Sequence, residues 1–125
     1  MHSVLIVEDD PILLEMYKDL FESNKFEVRT ASDGEHGLQL ALQFKPDLLL
    51  LDLLLPKMDG TTVLERLRTD SWGTKVPIIV LTNLNIDGAL LEKIIRNRPA
   101  YCLMKVGVTP NEILTKAKEL LIEKD

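Results

Sequence analysis

Short apolar runs alternate with amphipathic stretches five times along the chain, and no low-complexity linker separates them. The run from Ser3 to Val7 reads as a strand. Asp10 and Pro11 then supply a cap and a first helical residue to a helix whose apolar face carries Leu13, Leu14, Tyr17, Leu20 and Phe21. From Phe26 to Ala31, Phe26, Val28 and Thr30 alternate with Glu27 and Arg29, the pattern of an edge strand with one less buried face. Ser32-Asp33-Gly34-Glu35 predicts a capping box at the start of a second helix with Leu38, Ala41 and Leu42 inward. A third strand is predicted from Asp47 to Leu53, a third helix from Gly60 to Asp70, and a fourth strand from Val76 to Leu81, with Pro77 tolerated near its beginning. A helix from Asp87 to Asn97 and a strand from Ala100 to Met104 follow. Thr109-Pro110-Asn111-Glu112 then combines a capping box with a first-turn proline, ahead of Ile113, Leu114, Ala117, Leu120 and Leu121 at helical spacing.

Strict strand–helix alternation with right-handed crossovers predicts an α/β fold, a doubly wound parallel sheet with helices on both faces. In such sheets ligands gather beyond the carboxyl ends of the strands. That edge receives Glu8 and Asp9, Asp52, Thr82 and Lys105 from the first, third, fourth and fifth strands, which are neighbours if the order is 2-1-3-4-5. Asp52 is the most informative of them. It interrupts a run of seven leucines, Leu48 to Leu55, that reads as a strand buried on both faces, where an unpaired carboxylate is costly. Three carboxylates crowded at one rim repel each other unless a cation joins them, and all-oxygen ligation suits a hard divalent ion such as Mg2+.

At 125 residues and 46% hydrophobic content the chain has the size and composition of one domain, residues 1–125. A net charge of −5 and the lack of a basic stripe argue against direct nucleic-acid binding. No apolar run is long enough to span a bilayer, and Glu8, Asp9 and Asp10 interrupt any signal-peptide core, so no membrane association and a cytoplasmic location are expected. The lone Cys102 suits a reducing compartment and reads as a small buried residue. His2 and His36 read as surface residues without partners, and Trp72 as a loop anchor.

The segments Val4 to Asp10, Leu51-Asp52-Leu53-Leu54-Leu55-Pro56-Lys57-Met58-Asp59-Gly60, Val80-Leu81-Thr82 and Lys105 together resemble the receiver domain of two-component response regulators, of the stand-alone chemotaxis-regulator-like type. The resemblance covers essentially the whole chain. It implies a flavodoxin-like, five-stranded parallel sheet in the order 2-1-3-4-5 with five helices. It implies that Asp52 accepts a phosphoryl group from a sensor histidine kinase or phosphotransfer protein, and that Glu8, Asp9, Asp52 and the backbone carbonyl of Leu54 hold Mg2+. Thr82 would hydrogen-bond the phosphoryl oxygens and Lys105 would pair with them. The resemblance also implies a signalling module rather than an enzyme, output to an effector protein through the face of the fourth and fifth helices, and possible homodimerisation. With the chain ending at Asp125 after its last helix, output is expected through another molecule. Pro56 and Gly60 read as loop-shaping residues, Asp59 and Asp10 as helix N-terminal acids.

Several positions depart from the family pattern. Val106 follows Lys105 where the family usually has a cis-proline. Cys102 fills the place of the family's switch aromatic, and Tyr101 beside it would regain that role only through a bulge. Asn83 replaces the small residue usual after the threonine, which would narrow access to Asp52. Leu54 and Leu84 occupy positions flanking the path of attacking water in this family. Neither orients a water, so slow loss of the phosphoryl group is expected. These departures keep a second reading open, a phosphorylation-independent interaction module. A Mg2+-dependent phosphohydrolase is disfavoured, because Leu54 stands where its acid/base carboxylate would be.

Overall fold

The computed structural model describes residues 1–83 and 86–122. Five strands, β1 (Ser3–Val7), β2 (Glu27–Ala31), β3 (Leu48–Asp52), β4 (Ile78–Thr82) and β5 (Tyr101–Met104), alternate with helices α1 (Pro11–Ser23), α2 (Gly34–Phe44), α3 (Gly60–Arg68), α4 (Gly88–Arg96) and α5 (Pro110–Ile122). The strands are all parallel and lie in the order β2-β1-β3-β4-β5, as expected. Among the described residues no helix is long and apolar enough to cross a membrane.

Side-chain alternation divides the sheet into two cores. Leu5, Val7, Leu49, Leu51, Ile78 and Val80 pack with residues of α2, α3 and α4, whereas Val4, Ile6, Leu48, Leu50, Ile79 and Leu81 pack with residues of α1 and α5. The uninterrupted leucines of β3 are thus divided between both cores, and every residue of that strand is buried. β2 sits at the sheet edge with Glu27 and Arg29 exposed, matching its alternating sequence.

Capping chemistry sets most helix starts. Asp10 accepts from the Ile12 and Leu13 N–H groups, Asp59 from Thr62 and Asp87 from Leu90, while Thr109 Oγ1 accepts from Glu112 N–H, one half of the predicted capping box, and donates to the Glu112 carboxylate. The second helix corrects the sequence reading. Its cap is Asp33, which accepts from His36 N–H at 2.8 Å, and the Ser32 box is not formed. Its buried face is Gly34, Gly37 and Ala41 with Leu38 half-buried, and Leu42 faces solvent. Small residues bring this helix close to the sheet, which narrows the stripe that can be covered. Several ends also move inward: β2, β3 and β5 each start one residue later than predicted, β3 stops at Asp52, β4 starts at Ile78, and α3 stops at Arg68, where Asp70 turns to accept from the Trp72 and Gly73 N–H groups. Trp72 packs on the α2–α3–α4 core as a loop anchor.

Two further expectations are corrected. Cys102 is exposed, because β5 turns Tyr101 and Leu103 toward α5 and leaves Cys102 and Met104 outward. His2 has partners after all: its Nδ1 lies 3.7 Å from an Asp47 carboxylate oxygen and its ring faces Phe26. His36 is exposed as expected.

Lys45 ends α2 in the left-handed conformation, at φ 48°, and is exposed. A Cβ in that region costs about 1 kcal/mol, which glycine avoids. Lys45→Gly should therefore raise stability to urea by about 0.5–1 kcal/mol, and Lys45→Ala should leave it near wild type.

Candidate functional site

Parity along the strands builds the site. Glu8 follows Val4 and Ile6, Asp52 follows Leu48 and Leu50, and Lys105 follows Tyr101 and Leu103, so all three continue the α1–α5 face at the carboxyl ends of β1, β3 and β5. Thr82 continues Ile78 and Val80 toward the α3–α4 side, and its backbone carbonyl accepts from Lys105 N–H at 2.9 Å. Thr82 is itself buried.

Lys105 Nζ donates to Asp52 Oδ2 at 3.0 Å and lies 2.5 Å from Glu8 Oε1. The second contact is an ion pair off the angle of a hydrogen bond, so Glu8 Oε1 is buried with no donor aligned on it. The other Glu8 oxygen accepts from Asp10 N–H at 3.1 Å. Asp52 Oδ1 accepts from Leu54 N–H at 3.2 Å, so one oxygen of this carboxylate is held by the following loop and the other by Lys105. Glu8 and Asp52 are only 2% and 4% exposed, which makes this ammonium their main compensation.

Burial pushes the Glu8 carboxyl above its ordinary value, with the close Lys105 ammonium and the hydrogen bond from Asp10 N–H pulling the other way and the Asp52 charge adding to the rise. Burial alone would lower Lys105, but Glu8 and Asp52 outweigh it and hold the ammonium above its ordinary value. For Glu8 the sign follows directly. Its raised native value favours the fold below the ordinary carboxyl range, and this contribution is lost as pH rises through the native value. With three carboxylates to one ammonium the cluster has a formal excess of negative charge, and burial disfavours that charge at Glu8.

A divalent cation fits that excess. Glu8, Asp9 and Asp52 each bring a carboxylate oxygen to within 4.8 Å of the others, with Asp9 exposed at the mouth. The undirected Glu8 oxygen and the all-oxygen donor set suit a hard ion. The rim opens into a recess of about 190 Å³ whose lining includes Glu8, Asp9, Asp52, Leu54, Asn83 and Lys105. Leu54 and Asn83, both exposed, are thus part of its lining.

The predicted site residues Glu8, Asp9, Asp52, Lys105 and Leu54 are brought together, and Thr82 lies on the adjacent strand end. Asp59 and Asp10 are helix caps, as read from sequence. There is no bulge in β5: Ile79 through Thr82 pair one to one with Tyr101 through Met104, Lys116 lies 4.5 Å from the Tyr101 ring centre, and Cys102 occupies the outward position. No cis peptide occurs among the described residues, including the one before Val106. Leu84 lies outside the described residues. Gly60, read from sequence as loop-shaping, presses on the loop after Asp52, and so does Gly34, whose part there the sequence reading overlooked.

Comparison with known proteins places this arrangement. The response regulator receiver domain family matches residues 4–118. The DNA-binding dual master transcriptional regulator RpaA of Synechocystis is 42% identical over 94 residues, covering 75% of this chain and 38% of RpaA. The polar-differentiation response regulator DivK of Brucella anthropi is 34% identical over 86 residues, 69% of this chain and 70% of DivK. The crystal structure of a CheY-like response regulator receiver domain protein from Methanospirillum hungatei superimposes with a TM-score of 0.89 at 28% identity, covering 98% of this chain and 95% of that one. Matches to RpaA and to the DNA-binding response regulator MtrA of Mycolicibacterium smegmatis span only 38% and 33% of those longer proteins. The chain belongs to the response regulator receiver domain family.

Proposed function

We propose that this chain is a phosphorylation-dependent signalling switch in which Asp52 accepts a phosphoryl group from a phosphohistidine of a sensor histidine kinase or phosphotransfer protein. The observation that carries this reading is the 3.0 Å contact of Lys105 Nζ with Asp52 Oδ2 inside a rim that Glu8 and Asp9 complete. An Asp52 carboxylate oxygen forms the new O–P bond, while the P–N bond to the donor breaks and its electron pair returns to the imidazole nitrogen. Lys105, already charged, is placed to follow the negative charge from Asp52 onto the phosphoryl oxygens, and Thr82 offers a hydroxyl to the same oxygens. Glu8, Asp9, Asp52 and the Leu54 carbonyl would hold Mg2+, which when bound neutralises charge on the phosphoryl group.

Receiver domains are signalling modules, and this chain would act by changing its affinity for an effector protein. The face of α4 and α5, including the strand between them, is supported as the output surface by the exposed Leu91, Ile95 and Met104, and a second copy of the chain is an alternative occupant. The same reading places the chain in the cytoplasm, without direct contact to nucleic acid or membrane. One observation favours the phosphorylation-independent alternative: Cys102 stands outward where the family has its switch aromatic. Titration with Mg2+ and beryllofluoride, a phosphoryl mimic, separates the two. Amide shifts reaching α4 and β5 in wild type but not in Asp52→Asn support the switch, and an unresponsive wild type supports the alternative.

A long-lived phosphoryl group is part of this proposal. Leu54 is 60% exposed at the recess and has no atom that orients a water. Leu54→Glu should shorten the lifetime of phosphorylated Asp52 several-fold in a decay assay, whereas equal lifetimes would count against this role for Leu54.

A further inference from the structure

The loop 53–59 that follows Asp52 is confined by two glycines. At Gly34, the first residue of α2, a Cβ would stand 1.7 Å from the Met58 carbonyl oxygen and 2.7 Å from its carbon, far inside the contact distance of about 3.5 Å. Gly34 N–H also donates to the Pro56 carbonyl at 3.2 Å. The first turn of α2 and this loop therefore meet backbone to backbone.

The same face of the helix is packed tightly on the sheet further along, so the helix cannot lift off the loop without unpacking it. A Cβ at Gly37 would lie 2.8 and 2.9 Å from the Val7 methyl groups, and Ala41 is fully buried. Any added bulk at Gly34 would thus displace the loop, whose Leu54, Pro56 and Lys57 are exposed. The loop is pinned at its start and end, by Leu53 N–H to Leu81 O at 3.1 Å and by Gly60 N–H to Leu53 O at 2.8 Å. Displacement would then fall on residues 54–58, and Leu54 N–H is the group that orients Asp52 Oδ1.

We propose that Gly34 is a positioning residue of the site: the bare backbone at the start of α2 is the stop that sets where the loop, and through Leu54 the Asp52 carboxylate, faces Glu8 and Asp9. This rests on the reading that the site takes a divalent ion and a phosphoryl group. Misplaced supporting groups lower metal affinity by about 10- to 100-fold in comparable sites. The stop links α2, which supplies none of the site's side chains, to the orientation of the nucleophile.

The test uses the full 15N-labelled chain in the Lys45→Gly background, to preserve folding margin, with Mg2+ alone as ligand. Amide shifts of Glu8, Asp9 and Leu54 report binding, and incorporation from a small acyl phosphate is followed in parallel. Gly73→Ala is the control, since its Cβ would meet the Leu67 carbonyl oxygen at 2.3 Å, away from the site. Gly34→Ala should weaken Mg2+ binding about tenfold and slow incorporation, with Gly73→Ala within twofold of the background. Adding Lys57→Gly, which frees the loop at its φ of 69°, should restore most of the loss. Background-like binding by Gly34→Ala, equal weakening by Gly73→Ala, or unfolding of Gly34→Ala that Lys57→Gly does not relieve would overturn the proposal. Failure of the background protein itself to bind Mg2+ would instead overturn the reading of the site.

Discussion

Asp52→Asn should fold as wild type and lose phosphoryl incorporation from a small acyl phosphate by about 10⁴-fold or more, the scale seen when an enzyme loses its nucleophile. The amide keeps the volume of the buried side chain and can still accept from Leu54 N–H. It also leaves Lys105 paired with Glu8, so no buried charge is stranded. What it lacks is an anionic oxygen able to form the O–P bond. Incorporation assays beside thermal melts check both halves of this prediction. Residual incorporation near the wild-type rate would mean that another carboxylate is the acceptor.

Gly60→Ala should produce the largest stability loss among the substitutions considered, about 3 kcal/mol. A Cβ there would fall 2.2 Å from the Asp52 carbonyl oxygen and 2.6 Å from Leu53 Cα, both backbone atoms. Neither can retreat cheaply, because Leu53 N–H is bonded to Leu81 O across the sheet and Leu53 O accepts from Gly60 N–H. The gain in helix propensity from alanine, at most about 1 kcal/mol, offsets only part of the clash. Urea unfolding measures the difference. A midpoint equal to wild type would show that the loop has slack, which would also weaken the role given to Gly34.

The strands were legible because their signal is dense. Leu48–Leu51 can be satisfied only between two layers, and the polar residues closing β1, β3, β4 and β5 then fall at one rim for any order that makes those strands neighbours. The ammonium answering Asp52 was legible too, because Lys105 lies just past the last strand. The details that escaped were decided by small energies or by residues without side chains. Ser32 and Asp33 are both good caps, and their intrinsic preferences differ too little to separate them from sequence, whereas Asp33 is the cap in the structure. Leu42 looked inward because periodicity counts apolar side chains, yet the docking face is made of Gly34, Gly37 and Ala41. Glycine pressed on backbone carries no hydrophobic signal, so the confinement of the Asp52 loop could not be read from pattern. His2 found Asp47 through the pairing of neighbouring strands, a contact between residues far apart in the chain.

The most direct test of the central claim is the position of the phosphoryl bond. After reaction with a small acyl phosphate and Mg2+, borohydride reduction converts an aspartyl phosphate to homoserine, which peptide sequencing by mass spectrometry then locates. The account predicts homoserine at position 52 and nowhere else. Homoserine at Asp9, Asp10 or Asp59, or an unmodified chain, would contradict it.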